Sequence, residues 1–146
     1  AQQYWKKAST GLEEPSVAMF YNDQQPDTIF YQGMALLKLG QKDKAQERFD
    51  KLIRFGEAHE NDQVKIDYFA VSLPDLLIWD DDLNERNWQL CQYLQGLGEL
   101  GKGNLAKAQE LFGEVLDHNT SYSGARIHQK MAESPEGVTL PRQGGK

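Results

Sequence analysis

Apolar residues recur every three or four positions along most of this 146-residue chain, the spacing that gathers them on one face of a helix. Residues 27–39, with Phe30, Tyr31, Met34 and Leu37, predict the first strong helix. Residues 43–58, with Phe49, Leu52 and Ile53, predict its partner, capped by Asp43. Asn61 or Asp62 caps a third helix running to about Ser72, and Pro74 opens a short fourth with Ser72 and Asp75 at capping-box spacing. Asp80-Asp81-Asp82 interrupt it. Asp82 and Glu85 form a second capping box that starts a long helix to about Leu100. Asn104 caps the next helix, to about Asp117, and residues 121–132 read as another, beginning at Ser121. Upstream, residues 1–10 read as the end of a helix, and residues 17–21 as a short helical piece in a proline-containing stretch. From Pro135 the tail has no periodicity and reads as disordered. No segment reads as a strand, so the expected fold class is all-α. Residues 1–23 would be the end of a preceding helix and a linker, 24–132 the helical domain and 133–146 the tail.

Two stretches repeat each other. Gln32-Gly33, Gly40, Lys44-Ala45-Gln46-Glu47 and Phe49 recur as Gln95-Gly96, Gly103, Lys107-Ala108-Gln109-Glu110 and Phe112, each position displaced by 63 residues. Both copies keep the spacing Gly-x6-Gly-x4-Ala-x3-Phe, the mark of stacked, repeated units. Gly33 and Gly96 fall inside helices, where glycine costs about 1 kcal/mol against alanine, a cost offset if a neighbouring helix comes close. Gly40 and Gly103 end the first helix of each pair, where a left-handed residue needs no β-carbon. Ala45 and Ala108 belong at the helix crossing. Phe49 and Phe112 share their face with Leu52, Ile53, Val115 and Leu116.

In this order the small residue, glycine turn, alanine and aromatic resemble the tetratricopeptide repeat. The resemblance implies antiparallel helical hairpins stacked in a superhelical array, with units of about 34 residues. The displacement of 63 is close to two such units, so about three repeats are expected, the middle one degenerate. Asp67 stands at its mid-helix glycine position and its turn glycine is missing. The aromatic often found early in the first helix is Ile29 in one copy and Gln92 in the other. The resemblance implies a non-catalytic interaction or scaffolding module that binds a protein or peptide. Two further runs, Asp67-Tyr68-Phe69-Ala70-Val71-Ser72-Leu73-Pro74-Asp75 and Asp82-Leu83-Asn84-Glu85-Arg86-Asn87, resemble the C-terminal helices of certain large bacterial proteins. In those, an uncharacterised galactose-mutarotase-like β-sandwich precedes such repeats. That resemblance implies a bacterial source and an alternative role, a helical accessory domain packed on the catalytic domain of a carbohydrate-active enzyme. The partner would then be the upstream domain of the same parent chain.

Composition narrows the choice further. A hydrophobic fraction of 39% supports one core, and a mean hydropathy of −0.69 suits a thin array with much surface. A net charge of −6 argues against binding a nucleic-acid backbone, which needs a basic face. No apolar run of about 18 residues offers a membrane span. The single Cys91 excludes an internal disulfide and, with Leu90 and Leu94 beside it, reads as a buried, inert thiol. A first residue that is not methionine, and a first helix without its partner, read as an excised domain. The expected location is cytoplasmic.

Several motifs invite a chemical reading. Gly96-Leu97-Gly98-Glu99-Leu100-Gly101 is a literal GxGxxG, but phosphate binding needs that loop between a strand and a helix, and here the flanks are helical. Asp80, Asp82 and Asn84 imitate the start of a calcium loop, yet Glu85 takes the place of its glycine and Cys91 that of its terminal glutamate. His59, His118 and His128 read as surface or helix-end residues, without metal spacing. Asn119-Thr120-Ser121 is a glycosylation sequon, meaningful only on secretion. No catalytic residue, cofactor site or metal site is expected.

The inner helix face is the remaining candidate. It would carry Phe30, Tyr31, Met34 and Leu37 from one copy and Tyr93, Leu94 and Leu97 from the other. The lysine and asparagine set with which chaperone-type tetratricopeptide domains clamp a terminal carboxylate is absent there. Two readings stand open: the face is core, or packs on a neighbouring domain; or it is a groove for a partner, with self-association as one outcome.

Overall fold

A computed structural model of the chain describes residues 2–10, 27–63 and 80–134. Among these residues there are six α-helices and no strand: α1 (Gln2–Ala8), α2 (Thr28–Lys38), α3 (Lys42–His59), α4 (Asp80–Lys102), α5 (Leu105–His118) and α6 (Ser123–Glu133). The helical pieces expected at 17–21, about 62–72 and about 74–79, and the tail from Pro135, lie outside the described residues.

α2 and α3 form a hairpin through the turn glycine. Gly40 has φ +74° and Gly103, in the matching turn between α4 and α5, has φ +85°. In this left-handed region glycine carries no steric penalty. Each turn is closed in the same way, with Gly40 N donating to Leu37 O and Gln41 N to Leu36 O, and with Gly103 N to Leu100 O and Asn104 N to Glu99 O. So short a turn brings α3 back along α2, and the chain has no room for a separate cap. Asp43, expected as N-cap, lies in the first turn of α3 instead, with Gln41 at the cap position. Its carboxylate there still meets the positive helix end. Asn104 does stand at the N-cap of α5, but its side chain donates back to Glu99 Oε2 at 2.6 Å rather than capping. Asp80, Asp81 and Asp82 are all helical residues of α4, while the short helix that the triplet is expected to interrupt lies outside the described residues. Asp82 is inside the helix, not its cap. α6 starts at Ser123, because Asn119 Oδ1 accepts from Ser121 N and holds Ser121 in a turn.

From α2 to α5 neighbouring helices are antiparallel, and glycines make their closest approaches. A β-carbon on Gly33 would collide with the Phe49 ring, and one on Gly96 with the Phe112 ring. The repeat thus builds the same glycine–phenylalanine contact twice. α3 packs on α4 more extensively than on α2. Phe49 meets Gly101, Ile53 meets Gly98 and Gly56 meets the Cys91 carbonyl. The two copies are therefore direct neighbours, which corrects the expectation of a degenerate repeat between them. The excess over one repeat length falls in the α3–α4 connection. At the outer end of this contact the Glu60 carboxylate accepts from Gln92 Nε2 and Gln95 Nε2, both at 2.8 Å, and Asn87 Nδ2 donates to His59 O at 2.7 Å.

α6 packs on α5 and touches α4, with Gln109 Nε2 donating to Ala132 O. One continuous core results, in which Phe30, Phe49, Leu52, Leu94, Leu97, Leu100, Ala45, Ala108, Phe112 and Val115 are all fully buried. The alternation places α2, α4 and α6 next to one another, α2 touching α4 and α4 touching α6.

Candidate functional site

The seven residues expected to line a groove lie on α2 and α4, and the structure divides them. Phe30, Tyr93, Leu94 and Leu97 are buried and belong to the core. Met34 and Leu37 are half-buried, while Tyr31 is 45% exposed. The sequence pattern places all seven on one helical face, but it does not show that α6 covers the α4 part of that face.

His128 covers it. Its expected place is a surface or a helix end, but it lies in mid-α6 at 2% exposure, because Ala125, His128 and Ala132 form the buried stripe of that helix. His59 and His118 do terminate α3 and α5, as expected. The imidazole stands among four aromatic rings, its centroid 5.4 Å from Phe30, 5.8 Å from Tyr31, 5.7 Å from Tyr93 and 6.2 Å from Phe112. Its Nδ1 lies 2.7 Å from Gly124 O, an acceptor only, so Nδ1 carries the proton and Nε2 holds a lone pair. The Tyr31 hydroxyl, 2.9 Å away, donates to Nε2. The Tyr93 hydroxyl lies 3.2 Å from Nδ1 and shares its proton. Tyr93 reaches this point because Gly124 has no side chain to block it.

The electrostatics keep the cluster uncharged at neutral pH. Burial lowers the pKa of His128, against smaller raising effects from the Gly124 carbonyl and Asp27. Burial, and then Asp27, raises the phenols of Tyr31 and Tyr93, and Tyr122 is pushed up to about 12. Neither a phenolate nor an imidazolium is available to act on a substrate. Cys91, fully buried, has its thiol pushed up to about 11 and is no nucleophile at neutral pH. No group of three potential ligands that could hold a metal is found among the described residues, and no described helix is long and apolar enough to cross a membrane.

The glycines of the GxGxxG run are accounted for by packing: Gly96 faces Phe112 on α5, while Gly98 and Gly101 face α3. All three lie in one continuous helix, where the backbone N–H groups point along the axis rather than at a phosphate. A polar hollow of about 270 Å³ lies where α4 starts and α5 ends, lined by Glu85, Arg86, Gln89, His118 and Asn119. Its side chains satisfy one another: Glu85 Oε1 meets His118 Nδ1 at 3.3 Å and Gln89 Nε2 at 3.4 Å, and Asn119 Nδ2 donates to Gln89 Oε1 at 3.2 Å.

The large apolar side chains exposed on the described surface are Tyr4 at 79% and Trp5 at 37% on α1, Tyr31 on α2, and Ile127, the chain neighbour of His128, at 55% on α6. The repeat pattern misses Ile127 and His128 because α6 carries no glycine–phenylalanine signature. The amphipathic spacing of residues 125, 128 and 132 is the signal that could have found His128. No family model matches the chain, and no solved structure matches it.

Proposed function

We propose that this chain is a non-catalytic protein-interaction module of the tetratricopeptide type, whose partner is a protein or peptide segment with an apolar side chain. The observation that supports it most is the exposure of Tyr31 on the face shared by α2, α4 and α6, with half-buried Met34 and Leu37 on the same helix. Aromatic residues carry a large share of contact energy at interfaces, more so when rigidly held. Tyr31 is held by its bond to His128. The buried, lone Cys91 fits a cytoplasmic setting.

The test is selection of peptides from a displayed library on the intact chain, followed by amide-shift mapping of a selected peptide. Perturbations centred on Tyr31, Met34 and Leu37 are expected, and Tyr31→Ala should weaken binding at least tenfold, matching the ~2 kcal/mol of an interface hot spot. Perturbations confined to the Glu85–Asn119 hollow, or no selected peptide, would count against it.

A second reading, a helical accessory domain packed on the catalytic domain of a carbohydrate-active enzyme, is favoured by α1. That helix buries none of its own residues and exposes Tyr4 and Trp5. In that case Tyr4→Ala and Trp5→Ala, rather than Tyr31→Ala, should loosen the contact with the neighbouring domain.

A further inference from the structure

Tyr31 and His128 join the first helix of the repeat region to the last, 97 residues apart. Apart from the Phe30 and Tyr31 rings against His128, α2 and α6 show no close backbone approach, so this contact rests on side chains meeting over α4. We propose that His128 is an acid-released latch: neutral, it ties α6 to α2 and α4; on taking up a proton, it lets α6 lift away and uncovers Phe30, Tyr93 and Phe112.

The geometry defines what the proton does. In the neutral ring Nδ1–H donates to Gly124 O, and Nε2 accepts the Tyr31 hydroxyl proton. Protonation places a second hydrogen on Nε2, facing a hydroxyl that already points its own hydrogen there. Tyr31 must turn its hydroxyl away, and a cation then sits in a site at 2% exposure. The titratable groups that face the ring are the Tyr31 hydroxyl on α2 and the Tyr93 hydroxyl on α4, with Asp27 at the start of α2 acting on its charge; α5 contributes the Phe112 ring. Asp27 is the single carboxylate among them, and its favourable effect is smaller than the burial that opposes the charge.

The linkage has a definite sign. The latched ring binds a proton less readily than the ordinary value of 6.5, which the open helix regains. Closure is therefore fully favoured above pH 6.5 and is lost as the pH falls below it. From pH 7.5 to pH 5.5 the open fraction of α6 should grow by up to about tenfold, the ratio that follows when only the open form titrates near 6.5. The inference is independent of any partner: it concerns how α6 is held, whatever the exposed face binds.

The experiment is hydrogen exchange on the full chain at these two pH values, expressed as protection relative to the intrinsic rate at each. Protection of the Ser123–Glu133 amides should fall by several-fold to about tenfold while the amides of α2 and α3 hold theirs. In His128→Gln, which keeps a donor and an acceptor but does not titrate, that pH dependence should disappear. An equal loss in wild type and His128→Gln overturns the proposal. Should His128→Gln fail to fold, the imidazole titration of wild-type His128 by NMR decides: a midpoint below 6.5 that tracks the loss of α6 protection supports the latch, and a midpoint at or above 6.5 overturns it.

Discussion

The ring of Phe49 occupies the place that a β-carbon on Gly101 would take. Gly33 faces the same ring from α2, so the phenylalanine of the first repeat copy is held between two glycines on two helices. It cannot retreat. Gly101→Ala gains about 1 kcal/mol of helix propensity but forces the overpacking of a filled core, which costs about 1–3 kcal/mol. With no space on either side of the ring, the overpacking should win. Gly113 in α5 is the contrast, since a β-carbon there would meet only the end of Gln129 at 3.6 Å. Gly113→Ala should raise stability by up to about 1 kcal/mol. Urea midpoints of the two variants should move in opposite directions, and a shared direction would show that the ring yields.

How far the sequence discloses this arrangement depends on which residues repeat. Gly33, Gly40, Ala45 and Phe49 fix one hairpin, and their counterparts fix the second, because each performs a local task that only its type can do. The relation between the hairpins is less accessible. A displacement of 63 residues is equally compatible with a degenerate unit in between and with a longer connection, since length does not count helices. Gly98 and Gly101, which settle the matter by meeting α3, have no counterpart in the first copy and so no repeat to announce them. The closure by α6 is hidden for the same reason. His128 looks like any polar residue until the stripe of Ala125 and Ala132 is seen around it, and its partner Tyr31 is a long-range choice that periodicity does not encode. Periodicity therefore places the candidate residues on α2 and α4 but leaves open which of them are core, and burial assigns Phe30, Tyr93, Leu94 and Leu97 to it.

The two turn glycines should behave alike. Gly40 and Gly103 have φ values of +74° and +85°, and nothing lies within 4 Å of the point where a β-carbon would stand, so backbone strain alone decides the effect of a substitution. Gly40→Ala and Gly103→Ala should each lower stability by about 1–2 kcal/mol, the usual cost of a left-handed non-glycine residue. Asparagine at either site should cost less, because its side chain tolerates this region. Thermal melts that rank alanine and asparagine equally would contradict this.

Ala108 tests the register of the second hairpin. It is fully buried, and Ala108→Leu should cost ~1–3 kcal/mol through overpacking. Gln109, the next residue, is a poor control: it is half-buried, and its Nε2 donates to Ala132 O at 3.1 Å. Ala106, exposed in the first turn of α5, is the proper one, and Ala106→Leu should shift stability by no more than about 0.5 kcal/mol, as surface changes usually do. Similar melting shifts at both alanines would mean that α5 is rotated about its axis.

Cys91 reports on the contact between α3 and α4. It is fully buried, its backbone carbonyl against Gly56, with burial as the main cause that pushes its thiol up to about 11 and the carboxylates of Asp62 and Glu60 adding to it. The thiolate is the reactive form, so at pH 8 the folded chain presents roughly one thiolate in a thousand, against roughly one in four for an ordinary free thiol. Access compounds this, because a bulky disulfide reagent cannot reach a fully buried side chain. Modification of the native protein should therefore be slow and limited by opening of the α3–α4 contact, and denaturant should accelerate it along the unfolding curve. Glu60→Ala is the sharper variant. It removes the acceptor shared by Gln92 and Gln95 at 2.8 Å, leaving two amides without that bond, while also removing a negative charge that opposes the thiolate. Both effects should speed the reaction, the first through easier opening and the second through easier ionisation. They separate by pH: faster opening raises the rate at every pH, whereas easier ionisation shifts the midpoint of the rate profile downward. A native thiol that reacts within the dead time of mixing, with a profile centred on the ordinary thiol range, would show that Cys91 is not held buried.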